Sequence, residues 1–207
     1  MSSVEQLAAE LASGIPAPAG RPVRVAIDGM TGVGKTTLRG LIARELRASG
    51  REVVEASGDD FHHQREHRYR QGRGSARGYY EDAYDYGALG DKLLAPLGPG
   101  GSREVRVRHH DLESDAVLTE EPLVRLGEEV VLVVDGSFLQ RPELEGLWDW
   151  VILVEAPRAV SALRQVARDG APEDPNHPYH ARYFGGYDVY VAERSPRARA
   201  DVIVTNA

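Results

Sequence analysis

The 207-residue chain has no cysteine, which excludes disulfides and thiolate metal sites and fits a reducing compartment. It is almost free of lysine: of 25 basic residues only Lys35 and Lys92 are lysines, so nearly every cation is an arginine, suited to clamping phosphate and carboxylate. There is no basic excess either, and a formal net charge of −7 argues against a general nucleic-acid binder. No apolar run approaches the ~20 residues of a membrane-spanning helix. Residues 1–11 lack the basic and apolar segments of a signal peptide. A soluble, cytoplasmic protein is expected, with neither nucleic acid nor membrane as partner; a homo-oligomer is compatible with the composition. The length allows one domain, 1–207, to bury a full core.

What is present is organised around Gly29-Met30-Thr31-Gly32-Val33-Gly34-Lys35-Thr36, which fits the P-loop pattern G-x-x-x-x-G-K-[ST]. Its context is right: Val23 to Ile27 reads as a buried strand before it, and Leu38, Leu41, Ile42 and Leu46 recur at helical spacing after it. Gly29, Gly32 and Gly34 let consecutive N–H groups turn inward on an anion, and the following helix aims its positive end at the same point. Phosphate contacts are expected from Gly29, Thr31, Gly32, Val33, Gly34, Lys35, Thr36 and Thr37, with Lys35 on the β- and γ-phosphates and the Thr36 hydroxyl on Mg²⁺. A dinucleotide-binding G-x-G-x-x-G starting at Gly32 fails, because Thr37 stands where the third glycine is needed.

Along the chain, residues 3–13 read as a short leading helix, and 1–20 as that helix with its linker. Residues 52–56 form a second strand that delivers Asp59-Asp60-Phe61 at its carboxyl end, where open parallel sheets bind ligands. The stretch 62–82, rich in His, Arg, Gly and Tyr, reads as a long excursion with a substrate-binding role, within an acceptor-site insertion of about 60–128. Residues 83–96 return to helical spacing, ended by Pro96, and 105–108 alternate like an exposed strand. Two buried-strand runs follow, 130–134 and 150–154, then a helix over 159–168 started by Pro157. Residues 169–186 read as a mobile polar lid, before a short helix at 187–194 and a last strand at 201–204. Strands alternating with helices predict a three-layer α/β fold, a five-stranded mostly parallel sheet flanked by helices.

The apolar strand ending in Asp135 has the form of a Walker B carboxylate that helps hold Mg²⁺. Asp59 and Asp60 make a second acidic point. Phosphoryl transfer needs phosphates and metal held, a carboxylate near the acceptor hydroxyl, and cations over the spreading charge. Arg164, Arg168 and Arg182 are the lid-side cation candidates. His63 to His67 also matches the zinc pattern H-x-x-E-H, but the segment lacks the apolar stripe and caps of the helix that motif requires.

The ordered set of P-loop, Asp59-Asp60-Phe61, Asp82-Ala83-Tyr84-Asp85, His110-Asp111, Asp135-Gly136, Arg168-Asp169 and Ala200 to Val204 resembles the uridine kinase family, over about Arg21 to Asn206. The resemblance implies a P-loop NTPase fold with a lid, ATP or GTP as donor, and Mg²⁺. It places Asp59 at the family's catalytic carboxylate, Asp135 at its acidic residue after the Walker B strand, and Arg168 at a lid-proximal arginine. Substrate contacts are expected from Asp60, Phe61, Tyr79, Tyr84, His110, Arg164 and Arg182. The departures fall on the acceptor half: a sugar-contacting Asp becomes Tyr79, a Tyr near the base becomes His110, a base-reading His becomes Asp115, and a lid-helix arginine becomes Gln165. The expected activity is transfer to a primary hydroxyl of a small molecule, most simply the 5′-hydroxyl of a nucleoside. The alternatives are a vitamin precursor, a sugar phosphate or a specialised metabolite as acceptor, or a nucleotide-dependent switch without transfer.

Overall fold

The computed structural model describes residues 3–206; residues 1, 2 and 207 of the expected domain lie outside the described residues. The chain opens with α1 (Ser3–Gly14), β1 (Val23–Gly29), α2 (Lys35–Ala48) and β2 (Glu52–Ser57). Between β2 and the next long strand lie three short helices, α3 (Arg65–Arg68), α4 (Ala76–Asp82) and α5 (Tyr86–Leu89). Two small antiparallel ribbons follow, pairing β3 (Glu104–Val105) with β6 (Val124–Arg125) and β4 (His110–Asp111) with β5 (Ala116–Val117). Then come β7 (Val130–Gly136), β8 (Trp150–Glu155), α6 (Arg158–Asp169), α7 (Pro178–Arg194), α8 (Pro196–Arg199) and β9 (Val202–Thr205).

Five strands form one sheet in the order β2-β7-β1-β8-β9, and all its pairings are parallel. The apolar runs are continuous because both sheet faces are covered. On β7, Val131 and Val133 face the side packed with Leu11, Leu38, Ile42 and Leu46 of α1 and α2. Leu132 and Val134 face the other, with Leu93, Phe138 and Tyr190. Parallel strands place their carboxyl ends along one edge, so the P-loop after β1, Asp59 after β2 and Asp135 near the end of β7 converge there. The register brings Asp135 beside Ile27 on one flank and Ser57 on the other.

Several expectations are corrected. The stretch 62–82 contains α3 and α4. Pro96 does not end a helix; it lies inside a 3₁₀ turn, Ala95–Leu97, that follows a π-helical turn, Gly90–Leu94. Residues 105–108 are not one strand, since pairing stops at Val105 and resumes at His110. The short helix expected at 187–194 begins earlier, because α7 starts at Pro178 and runs through to Arg194, so the second half of the 169–186 segment is helical. Proline at the first helical position is preorganised for helix, and the His177 side chain accepts from the Tyr179 N–H at 3.2 Å to cap it. The buried face of α7 is His180, Arg182, Phe184, Gly186 and Tyr190, too polar to read as a core stripe. Among the described residues, no helix is long and apolar enough to cross a membrane.

Candidate active site

The P-loop leaves β1 and turns into α2 through left-handed glycines. Gly34 caps α2 at φ 97°, and a Cβ at Gly32 (φ 74°) would lie 2.6 Å from Ser161 Oγ and 2.7 Å from the Ser161 carbonyl. Ser161 on α6 braces the loop by donating to the Thr31 carbonyl at 2.5 Å. Lys35 Nζ donates to the Met30 carbonyl at 2.8 Å. Burial pushes its ammonium down, against the pull of Asp135, Asp59 and Asp28. Thr36 Oγ1 donates to Asp135 Oδ2 at 2.6 Å, and Arg39 pairs with the other oxygen of that carboxylate.

Beneath the loop lies a hub that the motif alone does not disclose. Asp28 is fully buried and accepts from its neighbour Gly29 N–H at 2.8 Å, Leu139 N–H at 3.2 Å, Gln140 Nε2 at 3.1 Å and the Tyr190 hydroxyl. Burial pushes this carboxyl up despite those bonds, of which Tyr190 and Gln140 give the strongest opposition.

Asp59 follows β2 on a 3₁₀ turn capped by Ser57, whose hydroxyl accepts from the Asp59 N–H at 3.3 Å. Its carboxylate is exposed to the cleft and takes a hydrogen bond from the Tyr84 hydroxyl at 3.4 Å; the Tyr79 hydroxyl lies 3.3 Å from that of Tyr84. Tyr79 also packs edge-on against Phe138 and Tyr183, with ring centroids 5.2 and 5.0 Å apart. The His62 ring lies tilted against that of Tyr84, centroids 4.2 Å apart, held there by a β-bridge between the two residues. His62 Nδ1 sits 2.8 Å from the Asp59 carbonyl, which can only accept, so Nδ1 carries the proton and Nε2 is left as an acceptor. Burial lowers the pKa of this ring and keeps it neutral.

These groups line a single cleft of about 950 Å³. One end has Thr31, Gly32, Gly34, Lys35, Thr36 and Thr37 of the P-loop; the other has Asp59, His62, Tyr79, Tyr84, Ser137 and Tyr183, with Asp135 and Gly136 between. Val4, Arg164, Arg168, Asp169 and Asn206 complete it. Arg164 donates to the Val33 carbonyl at 3.2 Å and Asn206 Nδ2 donates to it at 2.8 Å, so the last strand and α6 clamp the far side of the loop. Arg168 is held by paired hydrogen bonds to Asp169 at 2.8 and 2.7 Å, which raise its pKa further.

Of the residues expected at the site, Asp59, Lys35, Arg168, Thr31, Gly32, Gly34, Thr36, Thr37, Asp135, Tyr79, Tyr84 and Arg164 line this cleft. Gly29 and Val33 shape the loop from behind, Val33 with a buried side chain. Four expected substrate contacts are corrected. Phe61 and His110 are fully buried, His110 3.2 Å from Asp115 Oδ1, so two positions that depart from the family pattern face each other. Asp60 pairs with Arg108 at 3.2 Å, away from the cleft lining. Arg182 is buried, donates to the carbonyls of Arg68, Arg73 and Ser75, and lies over the rings of Tyr69 and Tyr79. His62, Ser137, Tyr183, Arg39, Asn206 and Asp28 were missed. His62 and Ser137 directly follow the two acidic motifs, and Arg39 is one helical turn after Lys35; those adjacencies were the available signal.

Thr36 and Asp135 suit a hard divalent cation: both offer oxygen, and a Thr36 hydroxyl that gives its proton to Asp135 keeps lone pairs for a metal. A single carboxylate is what Mg²⁺ needs when phosphates supply further ligands. At the H-x-x-E-H segment the helix is only four residues long, and the His63 and His67 rings stack at 4.0 Å.

No protein-family model matches the chain, and no curated protein matches it. Solved structures do. A protein described as a possible uridine kinase from Bacillus stearothermophilus is 25% identical, with TM-score 0.74 over 97% of both chains. One described as a candidate fructose transport system kinase from Silicibacter sp. TM1040 is 23% identical, with TM-score 0.73 over 98% of this chain and 99% of that one. Phosphoribulokinase from Rhodobacter spheroides is 17% identical, with TM-score 0.60 over 90% of this chain and 70% of that one. The structural neighbours are uridine kinase-like and related P-loop kinases, and the three-layer α/β P-loop fold is theirs.

Proposed function

We propose that this protein is a small-molecule kinase that transfers the γ-phosphoryl group of ATP or GTP to a primary hydroxyl, most simply the 5′-hydroxyl of a nucleoside, in the cytoplasm. The observation that carries this reading is the placement of an exposed carboxylate, Asp59, across one cleft from Lys35 and Thr36 of the P-loop. The loop N–H groups and the start of α2 bind phosphate oxygens, and Lys35 places its charge on the β- and γ-phosphates. Asp59 accepts the proton of the acceptor hydroxyl, while Tyr84, bonded to Asp59 Oδ1, leaves the second oxygen free for it. Arg168, from the lid side, stabilises charge on the transferring group, and the 170–177 segment closing over the cleft excludes water that otherwise takes the phosphoryl group. Mg²⁺, held at Thr36 and Asp135 when bound, supplies positive charge to the phosphates.

The acceptor end of the cleft supports an uncharged substrate. Asp59, His62, Tyr79, Tyr84, Ser137 and Tyr183 include no cation, Arg182 behind Tyr79 is spent on backbone carbonyls, and Arg168, which lines the cleft from the lid side, is given to the transferring group. A second reading, a non-nucleoside alcohol such as a vitamin precursor or specialised metabolite, draws support from Tyr79: its single hydroxyl already meets Tyr84, where a carboxylate can hold paired sugar hydroxyls.

The test is transfer from labelled ATP to a panel of nucleosides, sugar phosphates and vitamin-type alcohols. We expect a nucleoside product and a fall of about 10²–10⁴ in kcat for Asp59→Asn with ATP binding retained. Full activity in Asp59→Asn removes the assigned base; transfer to an alcohol on the panel but to no nucleoside selects the second reading.

A further inference from the structure

We propose that Arg39 makes this site take its divalent cation together with the nucleotide rather than alone, by occupying the metal carboxylate in advance. The inference rests on the kinase reading for the location of the metal at Thr36 and Asp135. Arg39 lies one helical turn beyond Lys35 on α2, on the same face. Its side chain, 19% exposed, crosses to the ends of β2 and β7. Nη1 pairs with Asp135 Oδ1 and also donates to the Ala56 carbonyl at 3.1 Å, while Nε reaches Glu55 Oε2 at 3.2 Å. Thr36 holds the other Asp135 oxygen at 2.6 Å. Both oxygens of a nearly buried carboxylate are therefore engaged, and its charge is matched by a guanidinium in contact.

A free cation approaching Thr36 meets a neutralised pair, and direct ligation to Oδ1 requires Arg39 to withdraw. Nucleotide phosphates change the balance because they bring the negative charge that Asp135 no longer offers. Arg39 has somewhere to stay when it yields Oδ1, since Glu55 and the Ala56 carbonyl hold it from the opposite side. Glu55 is itself shared, taking Arg47 at 2.9 Å, so the grip of Arg39 on Asp135 is set partly by an edge-strand carboxylate away from the phosphates.

The experiment is Mn²⁺ binding followed by the electron paramagnetic resonance of free aqueous Mn²⁺, with and without a non-hydrolysable ATP analogue. Wild type is expected to bind Mn²⁺ well only with the analogue. Arg39→Gln is expected to bind Mn²⁺ alone about tenfold more tightly or better, because a unit charge has been taken from within contact of the carboxylate; with the analogue the gain shrinks. Adding Asp135→Asn to Arg39→Gln is expected to remove the gain. Arg39→Lys keeps the charge and is expected to behave like wild type, which separates charge from any loss of fold, checked by thermal melting. Glu55→Gln is expected to weaken Mn²⁺ binding. Unchanged or weaker nucleotide-free binding in Arg39→Gln, with analogue-dependent binding intact in wild type, overturns the inference alone. Absence of analogue-dependent binding in wild type removes the metal site of the kinase reading and the inference with it.

Discussion

Asp149 joins the beginnings of β1 and β8, at the sheet edge remote from the cleft, and replacing it with asparagine separates stability from function. Its carboxylate accepts from Arg21 at 3.0 and 2.8 Å, from the Arg24 side chain at 2.9 and 3.1 Å, and from the Arg24 backbone N–H at 2.9 Å. Burial pushes this carboxyl up, but the bonds from Arg24 and Arg21 outweigh it and hold it well below the usual carboxylate range. The Arg24 side chain is only 4% exposed, and its other partner is the Leu94 carbonyl at 3.3 Å. Asparagine therefore strands a buried guanidinium, at a cost of about 3–5 kcal/mol, or a fall of about 10 °C in Tm. The pH dependence has a definite sign. Because the folded pKa is depressed, the stability contributed by the ion is fully present above the unfolded value of about 3.9 and is lost as pH falls toward the folded one. The gap between wild type and Asp149→Asn should narrow by about 1 kcal/mol between pH 6 and pH 3. Urea unfolding followed by circular dichroism at pH 6, 4.5 and 3 measures it. A gap below about 1 kcal/mol at pH 6, or one that does not change with pH, refutes the reasoning.

Gly34→Ala should leave the fold intact yet weaken ATP binding about tenfold or more, since φ 97° is strained for alanine and its Cβ would lie 2.7 Å from Asn206 Nδ2; calorimetric titration giving wild-type affinity contradicts this. His62→Phe keeps the ring beside Tyr84 but removes the Nε2 acceptor, so the acceptor KM should rise about tenfold while ATP affinity stays, the cost of one hydrogen bond; an equal loss of ATP affinity makes His62 a prop for the Asp59 turn instead.

The parts legible in the sequence were those fixed by local pattern. Val130 to Val134 reads as a central strand because both faces are buried, and the P-loop reads because glycine spacing and Lys35 have a chemical reason to recur. The parts that stayed hidden depend on long-range partners. Arg182 looks like a free lid cation until the carbonyls of residues 68, 73 and 75 are seen around it. His110 looks like a ligand contact until Asp115 is found against it in a closed pocket. The first half of the helix over 178–194 reads in the sequence as part of a lid, and only 187–194 as helix, because its inward face mixes histidine, arginine and tyrosine, and a periodicity count sees these as exposed. Asp28 stands one residue before the motif, but its burial depends on Tyr190 and Gln140, more than a hundred positions away.

The Asp28 hub also gives the protein an optical gauge. Trp148 Nε1 donates to the Leu139 carbonyl at 2.6 Å, and the N–H of the same Leu139 is held by Asp28 beneath the phosphate loop. The indole is thus two hydrogen bonds from Asp28, which a third joins to the loop at Gly29, and it is not among the residues that line the cleft. The only other tryptophan is Trp150. In a Trp150→Phe background the emission of the one remaining tryptophan, excited beyond the absorption of the nine tyrosines, is expected to follow strain passing from the nucleotide through Asp28, so that loop rearrangement is timed in a stopped-flow cell without attaching a label.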